Sequence, residues 1–555
     1  MVATRAQLGV VYTPRDVCEP MVRCALAPLV AGKSPREILA LRVCDPAIGE
    51  GAFLVEIVRV LAEAMRGDAR AARALVAEHC LVGADIDARA VAAAREAVER
   101  FVGAPVPALR ERLRAGDALA LEWPRELDAF VANPPYVRQE RLGAGKRALR
   151  GFASYDGVAD LYVYFVELAH RVLRRGGRYC VIVPNKWLTC EYGRALRAFL
   201  AQQGSVEGLV DFARALPLFG DADAFPCIVW GTAGASSGEL RAARITGATT
   251  VAQALAAPGE PLARARWQAE PWHVDRPHDG ALLDRLAARW PALGELVPVP
   301  SRGIITGCNR AFVIDAATRA RLVAGEPAAA ELIRPLVKGR DVRRWTPAAI
   351  DRFVLLVDHG TSLAELPRVR AHLTRFRTAL EPRPRDHRGG WAGRKPGTYR
   401  WYELQDPVVP LAKARAPRLF YQDIQTRPAC CLDPSGALVP DTTVWILPSA
   451  DPFLLALLNS ALYRWYAQRR FPPALNGAVR PKLAYMRALP IARPPPELRA
   501  HIAELVAQQL GEPSPVRDAA LETSIADAYE LPRRDRALIA GASAAPSRSR
   551  AAAAR

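Results

Sequence analysis

The sequence predicts an α/β fold: a doubly wound, Rossmann-like sheet, then an α+β domain, then a helical C-terminus. Three observations carry that expectation. Residues 1 to about 235 alternate strand-like apolar runs with helix-like segments, the signature of a parallel sheet covered by helices. The strand-like stretch Leu41–Asp45 runs through a glycine-containing turn into an apolar helix, the nucleotide-binding corner of such sheets. The apolar run Leu127–Ala132 reads as a buried strand that Pro134 and Pro135 stop abruptly.

Composition sets outer limits. The 555 residues suffice for two to three domains, with 50% hydrophobic and 24% charged residues, ordinary for a globular chain. The formal charge of +19 is not ordinary and points to a polyanionic partner, nucleic acid before membrane. No apolar run reaches the roughly 20 residues that span a bilayer, and the N-terminus lacks a signal-peptide core. The ten cysteines form no CxxC pair and the eight histidines are scattered. No metal site is expected, and the cysteines read as small buried hydrophobes of the cytoplasm, a reducing compartment.

Taken in order, Thr13 precedes Pro14 and is expected to cap a helix, with Asp16 in its first turn and a kink at Pro20. The turn Pro46–Gly51 after the first strand follows, then a helix over 52–64. Gly49 and Gly51 let a ligand approach the backbone. Glu50 and Asp45 disfavour a pyrophosphate there and favour a sulfonium or ammonium. The second strand ends at Asp85, where two carboxylate oxygens suit two ribose hydroxyls, and Asp87 caps the helix 88–101. A third strand ends at Asp117, suited to an exocyclic amine, with Ala118 beside the ring. Three acids thus lie along one edge of the sheet, the edge where open α/β sheets bind ligands.

The same edge carries the bend Asn133-Pro134-Pro135-Tyr136. Proline has no N–H and a fixed φ, so the bend is stiff and extended. It brings together an amide, a backbone carbonyl and an aromatic ring, which can accept hydrogen bonds from a flat amino group and pack on its plane.

The first half resembles an S-adenosylmethionine-dependent methyltransferase of the DNA adenine-N6 type. The likeness is to TaqI-type enzymes and to the methylating half of fused type II restriction–modification enzymes. It rests on the ordered segments 12–14, 45–53, 83–87, 116–118, 133–136, 159–162, 176–184 and 185–188. It implies that Thr13, Asp45, Ala47, Gly49, Asp85, Asp117, Ala118 and Pro135 contact the cofactor S-adenosylmethionine. It also implies that Asn133, Pro134 and Tyr136 hold the target amine, and that an aromatic ring before the last strand stacks on the base. Phe219 is favoured for that ring over Phe225, whose alternation with Cys227 and Val229 suits the core.

The expected domains are 1–245 for methyl transfer, 246–299 as connector, 300–494 for target recognition, 495–540 as C-terminal helices and 541–555 as a disordered tail. The recognition segment also resembles that of the fused family, through stretches including 301–315, 332–345, a helix over 453–470 and 480–486. Arg334, Lys338, Arg340, Arg343 and Arg344 beside Trp345, and Arg383, Arg385, Arg388, Arg394 and Lys395 on a Gly/Pro-rich loop, are expected to contact phosphate and groove. The expected partner is double-stranded DNA. The chain is expected to carry no nuclease of its own, with any nuclease separately encoded, and the sequence leaves the oligomeric state open, a monomer being compatible with it. The alternatives are an RNA base, a protein glutamine, or a catalytically silent DNA-binding subunit.

Overall fold

A computed structural model describes residues 13–141, 143–212, 225–234, 239–245, 249–259, 261–263, 267–268, 270–275, 277–472, 474 and 477–544. The chain divides into two compact units, Met1–His278 and Asp279–Arg555.

The first unit is built on a nine-stranded sheet. Its strands are β1 Val43–Asp45, β2 Leu81–Asp85, β3 Leu113–Ala115, β4 Leu127–Ala132, β5 Leu173–Pro184, β6 Val206–Asp211, β7 Pro226–Thr232, β8 Glu239–Arg244 and β9 Pro261–Ala263. They lie in the order β3-β2-β1-β4-β5-β7-β6-β8-β9. Strands β1 to β5 pair in parallel, and β7 runs antiparallel between β5 and β6. The strand order reverses between β1 and β4, where Val43 pairs with Ala129 and Cys44 with Phe130. A sheet of this kind opens a crevice at such a reversal, outside the carboxyl ends of the strands.

Both faces are covered, which is why β4 reads as an apolar run from Ala129 to Ala132. On one face Ala129 and Val131 join a core with the helices Arg15–Val30, Ala52–Ala64, Ala69–His79 and Ala88–Val102. On the other, Leu127, Phe130 and Ala132 pack with Tyr162–Val172, Arg194–Gln203 and the tryptophans Trp187, Trp267 and Trp272. The helix Arg15–Val30 is continuous through Pro20 and Pro28. Gly51, at φ 88°, caps the helix Ala52–Ala64, and a Cβ there would lie 3.0 Å from the Cα of Ala94. This glycine is accounted for by the close approach of two helices.

The second unit holds two four-stranded sheets. Its strands are β10 Ser301–Arg302, β11 Val313–Asp315, β12 Ile333–Val337, β13 Arg352–Leu355, β14 Arg418–Gln422, β15 Cys430–Asp433, β16 Val439–Pro440 and β17 Val444–Leu447. One sheet is ordered β10-β17-β14-β15, the other β11-β13-β12-β16. Side chains alternate across the first sheet. Leu419, Tyr421, Trp445 and Leu447 pack on the C-terminal helices, whereas Phe420, Val444 and Ile446 face the core shared with the second sheet. The helix expected over 453–470 is two helices, Pro452–Leu458 and Ala461–Arg470. The side chain of Asn459 bonds both the N–H and the carbonyl of Cys430, and Ser460 caps the second helix. The last helix runs to Ala544, so the first four residues of the expected tail are helical, and the rest of that tail lies outside the described residues. Among the described residues no helix is long and apolar enough to cross a membrane.

Candidate active site

The site is assembled at the carboxyl ends of β2, β1 and β4. Asp45 ends β1 and is fully buried. Its Oδ1 accepts the Ala47 N–H at 3.0 Å, while its Oδ2 is buried with no hydrogen-bond partner among the described residues. Burial, opposed by the Ala47 N–H and reinforced by the charge of Asp85, pushes the carboxyl up to about 7. An unpaired buried carboxylate oxygen is costly unless a cation or donor arrives. A cationic group seated here would return Asp45 to its charged form.

Asp85 ends β2 and is tied down on both oxygens. Oδ2 accepts the Gly49 N–H at 3.0 Å and Oδ1 the Asp87 N–H at 2.9 Å, each oxygen keeping a further lone pair. The bond from Gly49 fixes the turn after β1 against the end of β2. Gly49 has φ 51°, and a Cβ there would meet nothing within 4 Å, so the backbone borders open space. Asp117 follows β3, and its Oδ1 accepts the Leu119 N–H at 3.0 Å. Ala118 is buried beside it. Between Asp85 and Asp87 stands Ile86, 65% exposed. A large apolar side chain projecting from an acid-lined edge is a contact surface for a flat ring. Sequence reading passed over it, although an apolar residue between two strand-end acids was the available signal.

The bend follows β4 directly, with Pro134 buried and Asn133, Pro135 and Tyr136 half-buried. Thr13 does not cap the first helix, contrary to expectation. The helix begins at Arg15 with Pro14 at its cap position and no side-chain cap. The Thr13 hydroxyl instead accepts a hydrogen bond from Asn133 Nδ2 at 2.9 Å. The amide is thereby oriented with its Oδ1 outward from that contact, buried and with no partner among the described residues. Burial pushes the Tyr136 phenol well above the usual tyrosine range, so it stays neutral. Its ring stands edge-on to Tyr162, 6.3 Å between centroids, and Tyr162 shares a 2.8 Å hydrogen bond with Tyr192. The chain leaving the bend is clamped: Leu161 N–H donates to Val137 O, and Gln139 N–H donates to Asp160 at 3.1 Å.

Asn185, at the end of β5, donates through its backbone N–H to Phe225 O at 2.7 Å and through Nδ2 to Asp211 at 2.8 Å. Phe225 is half-buried just before β7 rather than in the strand. Phe219 lies outside the described residues.

Residues 110–219 match the family model described as "Eco57I restriction-modification methylase". The chain is 28% identical over 539 residues to the Type II methyltransferase M.PaeR7I of Pseudomonas aeruginosa, across 90% of this chain and 88% of that one. It is 25% identical over 525 residues to the Type II methyltransferase M.XhoI of Xanthomonas vasicola, across 87% and 90%. In fold it resembles the Type IIL restriction-modification enzyme MmeI, solved in complex with DNA, with a TM-score of 0.61 at 15% identity over 96% of this chain and 77% of that one.

Its likeness to Type II methyltransferases over most of its length implies that the chain uses S-adenosylmethionine as its methyl donor. The residues present fit that cofactor: an unpartnered buried carboxylate oxygen at Asp45, anchored carboxylates at Asp85 and Asp117, and the open glycine backbone at 49. These suit in turn an ammonium, ribose hydroxyls and an adenine amine.

Two of the arginines expected on DNA are buried structural groups. Arg334 donates to the carbonyls of Ala437, Ala412, Lys413 and Gly436. Arg394 donates to those of Leu380, Thr306, Glu403, Arg400 and Trp401 and lies over the Tyr399 ring. Each is buried and ties several loop carbonyls together, so neither is presented to a partner. Arg340, Arg343, Arg383, Arg385 and Arg388 are exposed, whereas Arg344 is paired with Asp518 at 2.7 Å.

Proposed function

We propose that this methyltransferase modifies N6 of an adenine flipped out of a short duplex DNA motif, as the modification component of a restriction–modification system. The observation that carries the reading is the unpartnered, buried Asn133 Oδ1 at the end of β4, oriented by Thr13. An acceptor in that state, next to the proline carbonyls and the Tyr136 ring, is matched to a flat amine with two hydrogens to give.

Adenine N6 is a weak nucleophile because its lone pair is delocalised into the ring. Asn133 Oδ1 accepts one N6 hydrogen and the Pro134 carbonyl the other, which draws the nitrogen out of conjugation. S-adenosylmethionine supplies an electrophilic methyl group on a sulfonium. As N6 takes the methyl group, the methyl–sulfur bond breaks with its electron pair left on sulfur as a neutral thioether. N6 becomes cationic, and the two oxygens stabilise that charge before a proton leaves for water. No strong base is required, and the rate gain comes from positioning and preorganised acceptors. The face of Tyr136 packs on the base and tolerates the cation, with Phe219 proposed as the ring on the opposite face. Asp45, Asp85 and Asp117 hold the cofactor, and Ile86 packs on its adenine.

Inside a duplex N6 is out of reach, so the base leaves the stack at a cost of a few kcal/mol, offset by stacking and the new hydrogen bonds. The charge of +19 and the exposed arginines of the second unit supply phosphate contacts for the flanking duplex. The test is to incubate the full chain with duplex DNA and isotope-labelled methyl donor, then digest to nucleosides. Label in N6-methyldeoxyadenosine, lost in Asn133→Ala, is expected. Label in a cytosine product, or in RNA or protein but not DNA, contradicts the proposal.

A further inference from the structure

Three chain segments meet at one edge of the sheet containing β10, β17 and β14. Arg302 lies on β10, opposite Trp445 of β17. Asp423 follows β14 directly, and two hydrogen bonds between Gln425 and Val479, each 2.9 Å, bring Arg480 alongside. Asp423 is buried, and its Oδ1 accepts the Trp445 indole N–H at 3.0 Å. Trp445 in turn stacks on Tyr421 at an interplanar angle of 3°. The remaining oxygen, Oδ2, is shared by two guanidiniums: Arg480 at 2.8 Å and Arg302 at 3.3 Å. Arg302 donates a further bond to Thr442 O at 2.9 Å.

One carboxylate thus holds two arginines, leaving a unit of positive charge at a fixed position. The arginines are nevertheless not enclosed: their side chains are 47% and 38% exposed. Next to them Ile424 projects with 52% exposure. Two rigid guanidinium planes beside an exposed aliphatic group match a base-pair step in the major groove. Guanine offers O6 and N7 to a guanidinium, and thymine offers a methyl group to an apolar side chain. A phosphate contact requires neither the apolar neighbour nor the buried carboxylate that fixes both planes.

We infer that Arg302 and Arg480, held by Asp423, are specificity-determining residues that read guanine edges in the DNA motif. The inference rests on the proposed DNA modification and adds to it which side chains select the site. Asp423 is a positioning residue: anchored by Trp445, it spares the arginines the loss of side-chain freedom on binding.

The test uses the full chain, expressed in a methylation-free host, with the sequence of every modified site read out. Wild type, Arg302→Gln, Arg480→Gln and Asp423→Asn are compared, each checked by thermal melting. Each arginine variant is expected to lose on the order of tenfold to a hundredfold preference for guanine at one position of the motif. Asp423→Asn is expected to relax both positions together. Both arginines are part-exposed, so their variants decide the matter even if Asp423→Asn folds poorly. Variants that modify the unchanged motif with undiminished preference, only more slowly, overturn the inference and assign these arginines to phosphate. If wild type marks no DNA at all, the inference falls together with the reading beneath it, a result plainly different from a marked but unaltered motif.

Discussion

Asn133 Nδ2 and Thr13 Oγ1 lie 2.9 Å apart although 120 residues separate them in the chain. The bond decides which end of the Asn133 amide is left over, and it leaves the acceptor. In the proposed reaction Thr13 is therefore a positioning residue for the group that accepts the amine. Thr13→Val removes the acceptor for Nδ2 while keeping the shape of the side chain. It is expected to lower kcat about tenfold, with cofactor Kd changed less than kcat. Thr13→Ser is expected to restore kcat. Equal losses in both variants, or a loss confined to Kd, speak against the relationship.

Asn133→Ala deletes one of the two proposed amine acceptors. Single preorganised hydrogen-bonding groups of this kind are worth on the order of a hundredfold to a thousandfold in kcat. A loss of that size is expected with cofactor affinity retained, measured by single-turnover methyl transfer beside equilibrium binding.

The Asp45 carboxyl, raised by burial from 3.8 to about 7, makes two pH effects. Between those values the folded chain holds a proton that the unfolded chain has released, so this group's contribution to stability falls as pH rises through the window. Binding a cationic ligand has the opposite sign. Below pH 7 the proton must first leave, and cofactor affinity is expected to fall about tenfold per pH unit. Asp45→Asn is expected to abolish that slope, to weaken cofactor binding strongly, and to raise the melting temperature of the free protein at pH 8.

Gly51 distinguishes packing from cofactor contact. Gly51→Ala forces a Cβ to 3.0 Å from Ala94 Cα at a φ of 88°. A stability loss of about 1–3 kcal/mol is expected, measured by denaturant unfolding, with cofactor affinity per folded molecule unchanged. Unchanged stability with weakened binding reverses that assignment.

The buried and exposed arginines of the second unit are expected to part company. Arg394→Met leaves several carbonyls without their donor, at about 3 kcal/mol of stability or more. Arg343→Ala is expected to leave stability alone while reducing the salt dependence of DNA binding by about one phosphate contact.

Much of the first unit was legible because local signals agreed with tertiary ones. Strand β4 ends at Ala132 as expected, since the prolines two and three residues later permit no continuation. The helix Ala52–Ala64 and strand β2 also fall where the apolar pattern puts them. What local pattern missed depended on distant partners. The Thr13 hydroxyl has a capping residue's chemistry but is taken by Asn133. The break after Leu458 follows from Asn459 binding the backbone of Cys430, which no helical period reveals. Arg334 and Arg394 carry the same charge in sequence as Arg340 and Arg343, and only the carbonyls around them make them internal. Asp45 and Asp85 were readable because each closes a strand whose end is itself evident, and Asp117 because it follows the third strand by two residues.

The most direct measurement of the central claim is base-resolved sequencing of DNA from a methylation-free host expressing the full chain or its Asn133→Ala variant. The account predicts N6-methyladenine at one fixed position of one short motif with wild type, and none with the variant. A modified cytosine, or N6-methyladenine that persists in Asn133→Ala, would contradict it.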